Sequence, residues 1–89
     1  MKRKKNDVFD FEIKEHIAVL RENKDGWSME LNVVAWNGNP EKYDIREWTK
    51  GHTAMSRGIT LTHREAKILQ ERLGEHLKAI AKMTGECVE

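Results

Sequence analysis

Apolar and polar residues change their spacing along this 89-residue chain, and the changes divide it into strands and one helix. Residues Phe11–Glu22 are rich in β-branched and apolar side chains with only partial alternation, which predicts a long strand covered on parts of both faces. Asn23-Lys24-Asp25-Gly26 follows, and Asp-Gly is a strong hairpin signal because both central positions of a type I′ turn require positive φ. Residues 27–36 run back as a second strand. With Asp25-Gly26 as a two-residue loop, Leu20 falls opposite Leu31 and Ala18 opposite Val33, on one face with Met29. The other face pairs Ile17 with Val34, Val19 with Asn32 and Arg21 with Glu30, and brings Trp36 near Glu15. That second face is mixed and aromatic, so it is either covered or used.

Asn37-Gly38-Asn39-Pro40 is a turn cluster. Lys42–Trp48 then alternates cleanly as a third strand, with Tyr43, Ile45 and Glu47 on one side and Lys42, Asp44, Arg46 and Trp48 on the other. Residues 49–56 read as a polar loop, and residues 57–61 as a short fourth strand. Thr62-His63-Arg64-Glu65 has the form of a capping box, in which the Thr hydroxyl and the Glu carboxylate each satisfy an orphan donor at a helix start. From there Ala66, Leu69, Leu73, Leu77 and Ile80 recur at three- and four-residue spacing through about Met83, with Thr84-Gly85 as the stop. The predicted fold is α+β: a curved four-stranded antiparallel sheet followed by one C-terminal helix, in a single domain over residues 9–84. Residues 1–8 read as a disordered basic arm and residues 85–89 as a tail.

A chain this short buries a small share of its surface, so a homodimer is expected before any motif is read. The stripe Leu69, Leu73, Leu77 and Ile80 is accordingly assigned to packing shared between its own sheet and a partner helix. Net charge sharpens the picture further. Lys2, Arg3, Lys4 and Lys5 supply four of the 16 basic residues, leaving residues 6–89 with 12 basic against 15 acidic, a net of −3. A domain that held nucleic acid by bulk charge alone would be strongly basic, so any such site here is a local patch helped by non-ionic contacts.

Other chemistry is thin. Cys87 is the single cysteine, which fits neither a disulfide nor a metal site and reads as an incidental thiol in a reducing compartment. No apolar run follows Met1-Lys2-Arg3-Lys4-Lys5, so no secretory signal or membrane span is expected, and the protein is expected to be cytoplasmic. His16, His52, His63 and His76 lack the spacing of a metal site. Asp44 and Glu47 point to opposite strand faces and cannot converge as a carboxylate pair, and there is no phosphate loop or nucleophile motif. No enzyme, cofactor, metal or small-molecule substrate is expected.

Tyr43-Asp44-Ile45-Arg46-Glu47-Trp48, followed after a polar loop by Arg57-Gly58-Ile59-Thr60-Leu61-Thr62, closely resembles the positive cofactor four family of transcriptional coactivators. The long first hairpin, the stretch Glu-Leu-Asn-Val-Val-Ala-Trp-Asn-Gly and the short total length resemble its bacterial YdbC-like branch. The resemblance covers roughly residues 9–77. It implies a homodimer whose curved sheets form grooves for single-stranded DNA, with RNA binding and roles in transcription and repair among its members. By position it implies that Trp36 stacks on a base, that Arg46 and Trp48 are a basic and an aromatic position on the groove face, and that Arg57 is a basic position before the fourth strand. The departure lies after the second strand, where a short basic cluster gives way to Asn37-Gly38-Asn39 and Lys42 is the first cation.

Single strands are gripped by aromatic platforms, because every base has a π-face, combined with cations that follow the phosphates. Trp36, Lys42, Arg46, Trp48 and Arg57 supply that combination, and Lys14 and Arg21 would extend it along the first strand. Trp36 and Trp48 equally suit a core or a dimer interface, and Trp27 suits packing beside the hairpin turn. The expected function is homodimeric binding of single-stranded DNA, and of RNA, with little sequence specificity, as an accessory to transcription or repair. The competing expectation is a small protein–protein adaptor using the same aromatic face.

Overall fold

β-Branched residues, turn dipeptides and the capping box sit where the element boundaries fall. The computed structural model of the chain, which describes residues 10–84, has strands β1 (Phe11–Glu22), β2 (Ser28–Trp36), β3 (Lys42–Trp48) and β4 (Met55–Leu61), then helix α1 (His63–Thr84). The expected basic arm, the Gly85 stop and the tail with Cys87 lie outside the described residues. The four strands form one antiparallel sheet in the order β1-β2-β3-β4. The fourth strand begins two residues before its expected start, at Met55. None of the described helices is long and apolar enough to cross a membrane.

The first hairpin departs from expectation. Its loop holds three residues, Lys24, Asp25 and Gly26: Asn23 N–H donates to the Trp27 carbonyl at 2.8 Å and Gly26 N–H to the Asn23 carbonyl at 3.3 Å. Only Gly26 takes a positive φ there, 92°. A turn closed by a left-handed glycine adds one residue to the loop and so shifts the register by one. The type I′ turn is instead at Asn37-Gly38, with φ of 52° and 76° and a 2.8 Å bond from Asn39 N–H to the Trp36 carbonyl.

Three further register shifts interrupt the β1–β2 ladder, leaving Lys14, Ile17 and Leu20 without an opposite residue. Phe11 therefore faces Trp36, His16 faces Asn32, Ala18 faces Leu31, Val19 faces Glu30 and Arg21 faces Met29. The expected pairings Leu20–Leu31, Ala18–Val33, Ile17–Val34, Val19–Asn32 and Arg21–Glu30 do not form. Bulges repeated on one strand also add twist and bend. Arg46 stands opposite Glu30, six residues along β2 from Trp36, and the curl of the sheet together with two long side chains converging on Asp44 brings its guanidinium carbon to 4.4 Å from the centre of the Trp36 ring.

The face that curls inward carries Glu30, Asn32, Val34 and Trp36 of β2, and Lys42, Asp44, Arg46 and Trp48 of β3, with the expected parity. The helix packs on the opposite face, against β3 and β4. Its start is the predicted capping box: Glu65 N–H donates to Thr62 Oγ1 at 3.1 Å, and Thr62 N–H donates to Glu65 Oε1 at 2.8 Å. The helix covers little. Leu69, Leu73 and Leu77 remain exposed and Ile80 is half-buried. The radius of gyration, 16.2 Å, exceeds the roughly 12 Å of a compact chain of this size.

Candidate nucleic-acid interface

One carboxylate organises the concave face. Asp44 is fully buried and accepts two parallel bonds from Arg46, Nε to Oδ1 and Nη2 to Oδ2, both 2.7 Å. Trp36 Nε1–H donates to the same Oδ2 at 3.2 Å. Arg46 thus lies over the Trp36 indole while its charge is matched from below, a bidentate pair whose fork geometry fixes the ring it covers. Only 13% of the Arg46 side chain is exposed, and its Nη1 also reaches the Ser56 carbonyl at 3.4 Å.

Gly58 makes this approach possible. It stands opposite Arg46, and a Cβ there would lie 2.3 Å from the Ile45 carbonyl oxygen and 2.3 Å from Arg46 Cβ. Beside it β4 bulges at Ser56-Arg57 opposite Glu47, where the Ser56 hydroxyl accepts from Glu47 N–H at 3.0 Å and donates to the Arg57 carbonyl at 2.8 Å. The bulge turns Arg57 toward the same hollow as Lys42, since a bulge re-aims the side chain it inserts. Together Trp36, Lys42, Arg46, Met55, Arg57 and Thr60 line a cavity of about 470 Å³, with Lys42 and Arg57 exposed.

Glu30, 5% exposed, is the second buried carboxylate of this face. Its oxygens accept from Ser28 Oγ at 2.9 Å and Asn32 Nδ2 at 3.1 Å, and meet His52 Nε2 at 2.9 Å. His16 Nδ1 lies 3.5 Å from Glu30 Oε1 and 2.7 Å from Asn32 Oδ1. Burial pushes the Glu30 carboxyl up, but the bonds from His52, Asn32 and Ser28 and the His52 charge outweigh it and hold it below the usual range. His52 reaches this point from the β3–β4 loop in the left-handed region, φ 59°, with a loop wound around the Thr49 hydroxyl, which accepts from Thr53 and Ala54 N–H at 3.2 and 3.0 Å. Among the described residues, no group of three or more His, Cys, Asp or Glu side chains is arranged to hold a metal ion.

The pattern of the transcriptional coactivator p15 (PC4) family matches residues 23–72. An uncharacterized protein from Treponema pallidum (strain Nichols) is 43% identical over 68 residues, spanning 76% of this chain and 80% of that protein. The chain belongs to the PC4 family. PC4 proteins form a non-enzymatic family of single-stranded-DNA-binding transcriptional coactivators.

Of the residues singled out in the sequence, the structure gathers Trp36, Lys42, Arg46 and Arg57 around one hollow, all inside the segment matched to PC4. Trp48 shares their face but has no exposed surface, so in this conformation it has no ring face to offer a base. Its ring lies under Phe11 and His52, each 5.2 Å away centre to centre. Arg21 falls on the other face: opposite Met29, it is bonded to Glu47, so it does not extend the groove. The extra loop residue alone moves it there, since every bulge lies beyond Arg21 from the turn. Lys14 sits at a bulge, paired with Glu12 at 3.2 Å and away from the hollow. Asp44, Gly58, Phe11 and the histidines around Glu30 were missed as contributors. A signal for Asp44 and Glu30 existed, since a charged residue in mid-strand on a buried face must be paired.

Proposed function

We propose that the concave face binds single-stranded DNA, and RNA by the same contacts, with little sequence preference, and that the protein works as a non-enzymatic homodimer in transcription or repair in the cytoplasm. The observation that carries this is the cavity where the Asp44-anchored Trp36 ring meets the exposed cations Lys42 and Arg57. An aromatic face beside two cations suits a base and its neighbouring phosphates, and neither contact reads a base edge. Membership of PC4 supports the same ligand class. The second copy is supported by the helix and the opposite face, where Leu69, Leu73, Leu77 and Ile59 keep 41–55% of their surface exposed. Apolar exposure on that scale suits an interface.

Fluorescence titration with oligo-dT tests the reading, with tryptophan quenching expected at micromolar protein and a duplex of the same sequence competing poorly. Equal affinity for duplex and single strand would overturn it, and an absence of quenching would favour the polypeptide adaptor.

A further inference from the structure

Phe11, the first residue of edge strand β1, stands among the tryptophans of the concave face. Its ring centre lies 5.6 Å from that of Trp36, with planes at 44°, and 5.2 Å from that of Trp48, at 51°. These are ordinary aromatic pairing distances. Phe11 is half-buried, whereas Trp48 beneath it is wholly buried and its indole N–H has no hydrogen-bond partner among the described residues. A phenyl ring offers this donor at most a weak π acceptor, and a buried donor left without a full hydrogen bond is a standing cost.

The described end of β1 lies at the edge of the sheet and pairs on one side with β2. Asp10 N–H donates to Asn37 Oδ1 at 3.0 Å and Asn37 N–H to the Asp10 carbonyl at 2.6 Å, and the first bulge follows at Lys14. Terminal residues of an edge strand open more readily than its middle. A flat ring packed against two indoles is what a nucleobase would also provide, and the base would bring acceptor atoms on its edge.

We infer that Phe11 is a base mimic that closes the site in the free protein: a base of the bound strand takes the slot between Trp36 and Trp48 as the end of β1 moves aside. This rests on the single-strand reading above and gives Trp48 a role that its burial in the free state conceals. Phe11 then competes with the ligand, and weakening its hold should tighten binding, the opposite of what loss of a merely structural contact would do.

The test uses the full chain with 5-fluorotryptophan and oligo-dT, comparing the parent with Phe11→Ala and Phe11→Leu. In the free Phe11→Ala protein, the buried tryptophan resonance should gain a solvent isotope shift, and oligo-dT should bind about three- to tenfold more tightly, the equivalent of one aromatic pair. Phe11→Leu should tighten binding by less. Where Phe11→Ala fails to fold by circular dichroism, Phe11→Leu decides alone. A parent that binds and folded variants that bind equally or more weakly reject the mimic and leave the single-strand reading standing. If neither parent nor variants bind, both fall together.

Discussion

Asp44 and Asn32, on the concave face, have no exposed surface, while Ile59 and Leu73, on and beside the opposite face, keep about half of theirs. Polar residues are buried where no helix lies over them, and apolar ones are open where the helix is. On the concave face curvature does the burying, and the two buried carboxylates find their partners inside the chain: Asp44 with Arg46 and Trp36, Glu30 with Ser28, Asn32 and His52. The opposite face is left open by the described residues. The first face is therefore closed from within, save for the Trp48 N–H, and the second is an unfinished core.

Breaking the concave side should have the largest effect. Asp44→Ala leaves a mostly buried guanidinium uncompensated and should cost about 3–5 kcal/mol of stability by urea denaturation. A loss below about 1 kcal/mol would mean that the pair is not what closes this face. Leu73→Asp tests the other side. If a second copy covers Leu73, the parent should sediment as a dimer and the variant as a monomer, with at least about 1.5–3 kcal/mol of association lost. A parent that sediments at single-chain mass at micromolar concentration would instead leave the apolar face without a second copy.

Two binding measurements sharpen the comparison. Trp36→Ala should weaken oligo-dT binding by about 1–3 kcal/mol with the salt slope unchanged, because no cation is removed. Arg57→Ala should flatten the dependence of log affinity on log salt by about 0.7, the value for one phosphate contact on a single strand. Arg46→Ala should flatten it less, since Asp44 already matches that charge, although affinity falls as the Trp36 ring loses its cover. Equal slopes for the two variants would show that Arg46 leaves Asp44 for the strand.

The smallest expected effect is a pH dependence. The Glu30 carboxyl is held low in the folded state, so its contribution is complete above the unfolded value near about pH 4.3 and is lost as the pH falls through the folded one. The stability gap between the parent and Glu30→Gln, measured in urea, should therefore narrow from about pH 6 to about pH 3. A gap that stays constant would remove Glu30 from the acid response.

Periodicity made much of this legible. The clean alternation of Lys42–Trp48 assigned its faces correctly, and the capping box at Thr62 and Glu65 placed the helix start within a residue. The register of β1 was not legible, because a bulge is an extra residue that leaves composition and pattern almost unchanged. The one extra loop residue moved Arg21 from the groove face to the other, and the three bulges beyond it shifted the rest of the strand. Asp-Gly did not give its turn type either: Asp25-Gly26 closes a three-residue loop, whereas Asn37-Gly38 makes the type I′ turn of the next hairpin. The burial of Trp48 depends on how far the sheet curls, a property of the whole strand set rather than of any local stretch.

The Asp44–Arg46 pair also bears on how fast a ligand is captured. With its most central cation neutralised from within, and residues 6–89 carrying a net of −3, the domain projects little attractive field toward an approaching polyanion. Encounter should proceed near the unsteered rate of about 10⁵–10⁷ M⁻¹s⁻¹, where strongly basic proteins gain orders of magnitude from electrostatic guidance. Affinity is then governed by residence time, through how long the rings hold their base once it has arrived.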